Sequence, residues 1–242
     1  MQISTQSDPG AARELDLALL IADLSGYTAL TDTHGGLKAA RIVLRFEELI
    51  AESLEPDVAL INCVGDDVFC AGPDALAVVR SALRLRDRVA REAGFPRVRM
   101  GIHAGSVVVL RGKYFGAPIN LAARLADYAV GGQVLCTAAI AQAARVLADI
   151  EPCALGERHF RHVAQPVAVF ELARPRERRA TTAIDPVCRM QVIVTLAVAN
   201  VVHQSGRYYF CSEECARRFG EMPQHYVDAA TSRADSRGER VR

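Results

Sequence analysis

The stretch Leu17-Ala-Leu-Leu-Ile-Ala-Asp-Leu-Ser-Gly-Tyr-Thr28 joins an apolar run to an aspartate, a glycine and a polar segment. Such a run is typical of a strand that is buried on both faces. A carboxylate at the end of a buried strand, here Asp23, is costly unless it binds a cation or caps a helix or turn. The backbone N–H groups of residues 24–27 lead into a helix N-terminus, where phosphate groups bind readily. The stretch therefore predicts a buried strand followed by a candidate anion-binding turn.

Strand-like and helix-like blocks alternate beyond this stretch as far as Ala173. Apolar residues at helical spacing predict helices over 39–54, 75–93, 119–128 and 138–147. Short apolar runs predict strands over 57–64, 67–71, 97–110, 133–136 and 167–171. The first two of these strands flank Gly65-Asp66 as a hairpin, and the third is expected to break at His103-Ala-Gly105. Strands and helices mixed with hairpins favour an α+β sandwich over a doubly wound sheet.

The composition limits the class of protein. The 242 residues are 50% hydrophobic, with a formal net charge of +1, which indicates one or two domains with a sizeable core. A charge this close to neutral gives no reason to expect nucleic acid or an anionic membrane as a partner. No run reaches the ~18 apolar residues that span a bilayer, and the N-terminus lacks the pattern of a signal peptide. Seven cysteines do not form a disulfide scaffold, so we expect a cytoplasmic protein.

The composition changes sharply once, at Arg174-Pro-Arg-Glu-Arg-Arg179. No core would accept this charged segment, and a short cysteine-containing unit follows it. The sequence therefore predicts two domains. We expect an N-terminal tail at 1–13, a first domain at 14–173, a linker at 174–184, a second domain at 185–228 and a disordered tail at 229–242.

Two pairs of polar residues in the first domain are candidates for chemistry. If the first strand lies beside the hairpin, the carboxylates of Asp23 and Asp66 meet and form an oxygen site of the kind that Mg²⁺ and Mn²⁺ prefer. Asn120 and Arg124 are four residues apart on one helical face, and arginine suits bidentate binding of phosphoryl oxygens. Taken singly, each aspartate is more typical of a cap or turn, and the Asn/Arg pair is more typical of a solvent-facing surface.

Four segments in order carry a family resemblance: Ile21-Ala-Asp-Leu-Ser-Gly-Tyr-Thr28, Val64-Gly-Asp66, Arg99-Met-Gly-Ile-His-Ala-Gly105 and Phe115-Gly-Ala-Pro-Ile-Asn-Leu-Ala-Ala-Arg124. Together they resemble the catalytic domain of the class III nucleotidyl cyclases, the adenylate and guanylate cyclases, over nearly all of residues 14–173. The resemblance implies a ferredoxin-like α+β sandwich. It also implies a head-to-tail homodimer with composite active sites at its interface.

The resemblance assigns roles by motif position. Asp23 and Asp66 would hold two Mg²⁺ or Mn²⁺ ions per site, and Asn120 and Arg124 of the other protomer would match the family's transition-state pair. The reaction would be attack of the ribose 3′-oxygen of a nucleoside triphosphate on the α-phosphorus, which forms a 3′,5′-cyclic nucleotide and pyrophosphate. The nucleotide-binding positions would be Leu24, Ser25, Gly26, Tyr27, Thr28 and Gly65.

The two positions that read the base in this family depart from its adenylate cyclase pattern of Lys and Asp. Asn62 stands at the first position and Lys113 at the second. Asn62 donates or accepts hydrogen bonds, whereas Lys113 only donates and cannot accept from the adenine amino group. Three explanations remain open: adenine read by other groups, a promiscuous or guanine-preferring enzyme, or a weak or inactive relative. We expect an active cyclase with ATP as substrate and GTP as the alternative.

The second domain has too few residues to fold on an apolar core alone, so a metal ion is expected to stabilise it. Cys188, Cys211 and Cys215 supply three thiolates in C-x22-C-x3-C order, a set that suits Zn²⁺ or Cu(I). The stretch resembles the YHS domain, a small treble-clef-like module, with Arg189 where that family usually has Gly. His203 occupies the family's approximate His position as fourth ligand, and His225 competes with it.

Other interpretations of this unit stay open. The thiols could be buried apolar groups, or a helix-start cysteine could be redox-active. The histidines of the first domain, among them His34, show no metal-ligand spacing. The overall hypothesis is a homodimeric nucleotidyl cyclase whose YHS domain regulates it through the linker. The alternatives are a catalytically inactive dimerisation or nucleotide-binding module and a metal-handling protein in which the YHS domain is the functional end.

Overall fold

The computed structural model describes residues 12–174, 182–204 and 206–227. The expected tails at 1–13 and 229–242 lie almost wholly outside these ranges. Residues 175–181 of the expected linker also lie outside them, whereas Thr182–Ile184 form a β-strand of the C-terminal unit. In the described ranges, no helix combines the length and the apolar character needed to cross a membrane.

One large sheet organises the first unit, and β1 (Arg13–Leu24) lies near its centre. The strand order is β2-β3-β1-β4-β6-β8-β7, with β5 paired to β4. The β4–β6 pair is parallel and the other pairs are antiparallel. The remaining strands are β2 (Ala59–Val64), β3 (Asp67–Gly72), β4 (Val98–Leu110), β5 (Lys113–Phe115), β6 (Val134–Thr137), β7 (Glu151–Arg158) and β8 (Val167–Ala173).

Helices cover both faces of this sheet because β1 is apolar on both. Leu20 and its even-numbered neighbours pack in one apolar core with helices α2 (Gly36–Ala51), α3 (Ala75–Val89) and α5 (Ala138–Ala144). Leu19 belongs to a second core with α4 (Ala117–Tyr128). The short helix α1 (Tyr27–His34) follows β1 directly. The α+β sandwich predicted from the sequence is confirmed.

The C-terminal unit contains two small hairpins and a helix. The hairpins are β9 (Thr182–Ile184) with β10 (Gln191–Ile193), and β11 (Ala199–His203) with β12 (Gly206–Phe210). Helix α6 (Glu213–Glu221) begins after Ser212, whose hydroxyl accepts a hydrogen bond from the Cys215 N–H.

The two units pack directly against each other. The Gln191 N–H donates to the Phe95 carbonyl at 3.0 Å, and its side-chain amide donates to the Ala90 carbonyl at 2.8 Å. Arg97 donates to the Gln191 side chain and to the Thr182 hydroxyl. Buried residues of the C-terminal unit join the main core of the first unit: Val187, Met190, Phe210 and Phe219. The interface therefore has both an apolar and a hydrogen-bonded part.

The expected break in β4 is wrong, since the strand runs through His103–Gly105 and pairs with residues 17–19 of β1. The glycines of β4 serve close packing with α4. A Cβ at Gly101 would lie 2.2 Å from the Ala122 carbonyl oxygen, and one at Gly105 would lie 2.7 Å from a Pro118 ring carbon. The helix after the turn is present as α1, but the sequence pattern did not locate its end.

Replacing Gly101 by alanine should destabilise the protein, because the added methyl group collides with the backbone of α4. We expect the free energy of unfolding to fall by about 2–3 kcal/mol, the usual cost of overpacking. Gly220→Ala in α6 is the matched control, since nothing lies within 4 Å of its Cβ position. That change should be neutral or stabilise by about 0.5–1 kcal/mol. Equal denaturation midpoints for both variants would contradict this account of the β4–α4 contact.

Candidate active site and metal centre

The carboxylates of Asp23 and Asp66 meet at one end of the sheet. Asp23 lies at the end of β1, where it pairs with Asp67 of β3 and Arg99 of β4. Asp66 lies in the β2–β3 turn after Gly65, which has a φ of 62°. The Asp66 side chain contributes to the raised pKa of Asp23 and both residues line one pocket, so the structure brings together the two residues that the sequence selected.

Burial dominates the electrostatics of Asp23, which is only 7% exposed. Burial and the hydrogen bond to Asp66 raise the pKa of Asp23 to about 7, although contact with the Arg99 guanidinium acts in the opposite direction. Burial also raises the pKa of Asp67. Two carboxylates in a poorly solvated corner repel each other when both are ionised, and a divalent cation between them relieves that repulsion. The oxygen donors present fit Mg²⁺ or Mn²⁺.

A pocket of about 590 Å³ opens beside these carboxylates. Its walls include the end of β1, the first residues of α1, Asp66 and Arg99. The first unit also contributes Asp67 and Asp127, and the C-terminal unit contributes Pro186, Val187, Arg189, His225 and Tyr226. The sequence patterns held no signal for this shared wall, because its two sides are far apart in the chain.

The turn between β1 and α1 is only partly available to an anion. The Ser25 N–H donates to the Arg97 carbonyl at 2.7 Å, which corrects the expectation that this position binds phosphate through its N–H group, whereas Leu24 lines the pocket. Gly26 adopts a φ of 90° and precedes α1. The N–H groups of the first turn of a helix have no partner within the helix, so those of Tyr27 and Thr28 remain the candidate donors.

Gly26 also lies against the C-terminal unit. A Cβ at this position would be 2.4 Å from the Cβ of Arg189 and 2.7 Å from its Cγ. Arg189 itself has a φ of 66° in a turn closed by its N–H, which donates to the Asp185 carbonyl at 2.9 Å. A positive φ explains why glycine suits this position in the YHS family. The arginine of this chain therefore covers the turn that follows Asp23.

Four predicted residues are not among those that line this pocket in the single chain. Asn120 and Arg124 are exposed on α4, and an Arg124 Nη1 lies 3.5 Å from an Asp127 Oδ2. Asn62 is exposed on β2 and Lys113 on β5. None of the four lines the described part of the pocket.

The thiols of Cys188, Cys211 and Cys215 form one cluster with the imidazole of His34. The Sγ atom of Cys211 lies 3.4 Å from that of Cys188 and 3.7 Å from that of Cys215. The His34 Nε2 lies 3.6 Å from the Cys211 Sγ and 3.8 Å from the Cys215 Sγ. Hydrogen bonds from Cys188 and Cys211 lower the pKa of the Cys215 thiol, which favours a thiolate. Three thiols and an imidazole are a donor set for a tetrahedral metal ion.

The structure does not place His203 or His225 with these thiols. The His203 Nε2 is buried without a hydrogen-bond partner in the described residues, and its ring contacts Phe219 edge-on. His225 lines the pocket beside Asp23. His34 takes the fourth position because α1 ends at the thiols, so the expectation that His34 has no part in a metal site is corrected.

A buried aspartate positions the cysteine loops. One Oδ of Asp185 accepts hydrogen bonds from the N–H groups of Val187 at 2.9 Å and Cys188 at 3.3 Å, and the other accepts from the Cys211 N–H at 2.8 Å. Burial raises the pKa of Asp185. The carboxylate thus holds two ligand-bearing loops in register, a task that the Asp-Pro-Val-Cys motif alone did not reveal.

Comparison with known proteins agrees with this architecture. A family model described as the YHS domain matches residues 183–230. The chain is 36% identical over 163 residues to an uncharacterised protein of Mycobacterium tuberculosis, an alignment that covers 66% of this chain and 42% of the relative. It is 30% identical over 173 residues to a pH-sensitive adenylate cyclase of Mycobacterium tuberculosis, covering 70% and 43% respectively. The chain thus spans less than half the length of these curated relatives.

A solved structure, the adenylyl cyclase CyaB from P. aeruginosa, is similar to the chain with a TM-score of 0.60 and 18% identity. The match covers 70% of this chain and 98% of that one. At this identity the likeness shows the fold. The chain therefore consists of a domain with the class III nucleotidyl cyclase fold, related in sequence to adenylate cyclases, followed by a YHS domain.

Proposed function

We propose that this protein is a nucleotidyl cyclase that converts a nucleoside triphosphate, with ATP as the expected substrate, to a 3′,5′-cyclic nucleotide and pyrophosphate. One observation carries the proposal. On a cyclase fold, the carboxylates of Asp23 and Asp66 meet in a pocket beside the N-terminus of α1. That arrangement offers oxygen ligands for cations and N–H donors for phosphate groups in one place.

Asp23 and Asp66 would hold two Mg²⁺ or Mn²⁺ ions. When bound, such ions lower the pKa of the attacking 3′-hydroxyl and neutralise charge on the phosphates. The N–H groups at the start of α1 would bind the triphosphate. Arg124 would stabilise the charge that develops at the α-phosphorus, and Asn120 would orient the ribose.

On this proposal Asn120 and Arg124 come from a second copy of the chain, since neither lines the pocket of its own chain. The proposal therefore requires a homodimer whose interface brings Asn120 and Arg124 of one chain to the two carboxylates of the other.

A second candidate function is a catalytically inactive cyclase fold that brings two YHS domains together. Two observations favour it. The Arg99 guanidinium contacts the Asp23 carboxylate, which a cation would need as a ligand. The base-reading positions hold Asn62 and Lys113. In an active enzyme, cation binding has to weaken the Arg99 contact. Arg99 also approaches Asp127, with 3.8 Å between Nη2 and Oδ1, which offers it an alternative partner.

Incubation of the full chain with Mn²⁺ and each of ATP, GTP, CTP and UTP tests the proposal directly. We expect a cyclic product, with ATP as the best substrate. Asp66→Ala and Arg124→Ala should each lower the rate by on the order of 10²–10³, because each removes charge stabilisation of the transition state. An exposed arginine outside the proposed site provides the control, since Arg145→Ala should leave the rate unchanged. No cyclic product from any nucleotide would favour the inactive module.

Mixing the two inactive variants tests the composite site. A mixed dimer of Asp66→Ala and Arg124→Ala subunits retains one site with both residues, so the mixture should recover roughly a quarter of the wild-type rate by random pairing. Recovery is read from the same product assay after the subunits exchange. If the mixture stays as inactive as either variant while dimers form, Arg124 does not act across the interface.

Cation binding should depend on pH because the pKa of Asp23 is raised to about 7. Below that pH a proton occupies the carboxyl and competes with the cation, so the apparent Mn²⁺ affinity should fall up to about tenfold per pH unit. Above pH 7 the affinity should level off. Electron paramagnetic resonance of free Mn²⁺ measures it, and Asp23→Asn should remove both the affinity and its pH dependence. A flat profile between pH 5.5 and pH 8 (roughly the range over which a group of this pKa titrates) would contradict the raised pKa.

A further inference from the structure

The His34–Cys188–Cys211–Cys215 cluster, hereafter the thiol–imidazole cluster, draws its donors from both domains. The three thiols belong to the YHS domain, whereas His34 is the last residue of α1 in the cyclase domain. Cys188 and Cys215 are buried, and Cys211 and His34 are half-buried. The cluster therefore lies at the domain interface, shielded from water and accessible on one side.

The distances in the cluster match a tetrahedral metal site. A zinc ion with bonds of ~2.3 Å to sulfur and ~2.0–2.1 Å to nitrogen requires S···S edges of about 3.8 Å and S···N edges of about 3.6 Å. Two of the three S···S distances are 3.4 and 3.7 Å, and two of the three N···S distances are 3.6 and 3.8 Å. All four donor atoms lie within 4.8 Å of one another. Neither His203 nor His225 belongs to this set.

We propose that His34 is the fourth protein ligand of a soft metal ion of the Zn²⁺ class that the three cysteines hold. This ion joins the YHS domain to the cyclase domain, and it keeps α1 and the Cys188 loop in the positions in which they line the nucleotide pocket. The ligand assignment stands on the geometry of the cluster. The effect on the pocket rests in addition on the proposed function.

Helix α1 connects the ion to the nucleotide site from the cyclase side. The helix has eight residues, about 12 Å in length, with Gly26 at its start and His34 at its end. Its first turn lies beside Asp23 and lines the pocket. A metal bond to His34 therefore anchors the element that carries the candidate phosphate donors.

The cysteine loop connects the ion to the same site from the YHS side. Cys188 lies between Val187 and Arg189, both of which line the pocket. Arg189 also packs against Gly26, since its Cβ lies 2.4 Å from the position that a Cβ on Gly26 would occupy. One ion would thus restrain a wall from each domain, and loss of the ion would free both.

Contacts that need no metal hold the domains together elsewhere. Gln191 bonds the backbone of Phe95 and Ala90, and Arg97 bonds Thr182. Loss of the ion should therefore change the local arrangement of α1 and residues 185–190 without separating the domains. This separates the proposal from a purely structural zinc site, whose loss unfolds its own domain.

Cobalt substitution of the full chain tests the ligand set without any activity measurement. Wild-type protein, purified under reducing conditions, should bind one Co²⁺ per chain with the visible d–d bands of a tetrahedral site and thiolate-to-cobalt charge transfer. His34→Ala should weaken binding by at least about tenfold and shift the d–d bands, because an imidazole is replaced by water. His34→Cys should restore tight binding with a spectrum of four thiolates.

His203→Ala is the matched control, a histidine of the YHS domain outside the cluster. It should retain the wild-type affinity and spectrum. If His203→Ala shifts the spectrum and His34→Ala does not, the assignment is wrong. A disulfide between Cys188 and Cys211 in the reduced preparation, detected by mass, would overturn it as well.

Nucleotide binding tests the coupling. Affinity for a non-hydrolysable ATP analogue is measured by calorimetry in excess Mg²⁺, with the soft metal present or removed by a zinc-selective chelator. Removal should weaken binding by about tenfold in wild type, within the usual range of coupling between sites. His34→Ala should bind weakly in both conditions, and His34→Cys should behave as wild type.

The outcomes distinguish the two proposals. If nucleotide affinity changes with the metal but no cyclic product forms, the proposed cyclase activity is wrong and the metal bridge between the domains is supported. If cyclic product forms but the affinity for the ATP analogue changes neither with the chelator nor in His34→Ala, the cyclase proposal stands and the proposed coupling is wrong. Limited proteolysis of each variant shows whether the domains remain folded.

Discussion

The burial of the Asp23 carboxylate at the end of β1 is the constraint on which the site depends. β1 lies between β3 and β4, so its last residues are enclosed by Asp67 and Arg99 on either side and by the C-terminal unit beyond. A charge in such a place needs a counter-charge. Arg99 supplies one in the structure, and the divalent cation proposed above would supply a stronger one. On that proposal, the same carboxylate affects both the stability of the sheet and the binding of a metal nucleotide.

The YHS domain is part of the pocket rather than an appendage on a linker. Arg189, His225 and Tyr226 line the same cavity as the two carboxylates. The coupling proposed above would act directly through α1 and the cysteine loop, where Gly26 and Arg189 pack against each other. The interface is also partly independent of the metal, since Gln191 and Arg97 bond across it. A local change at the pocket with the domains still associated is the result that this arrangement favours.

Local patterns in the sequence predicted much of the fold and half of the site. The apolar run before Asp23 and the glycine before Asp66 indicated a strand end and a hairpin turn, and these features bring the carboxylates together once the strands pair. The interpretation of Gly105 as a strand break was wrong because a glycine in a strand has two common roles. It either interrupts strand pairing or allows a neighbouring helix or strand to approach the backbone closely. Only the position of Pro118 on α4 distinguishes them.

Short-range periodicity and motif spacing were enough to predict the α+β class, to select the candidate carboxylates and the three thiols, and to relate each domain to its family. They could not predict that His34 rather than His203 meets the thiols, that Arg189 covers Gly26, or that the Ser25 N–H is occupied by Arg97. Each of these contacts joins elements from distant parts of the chain. Such contacts depend on how whole helices and strands pack, and packing leaves no regular spacing for a sequence pattern to record.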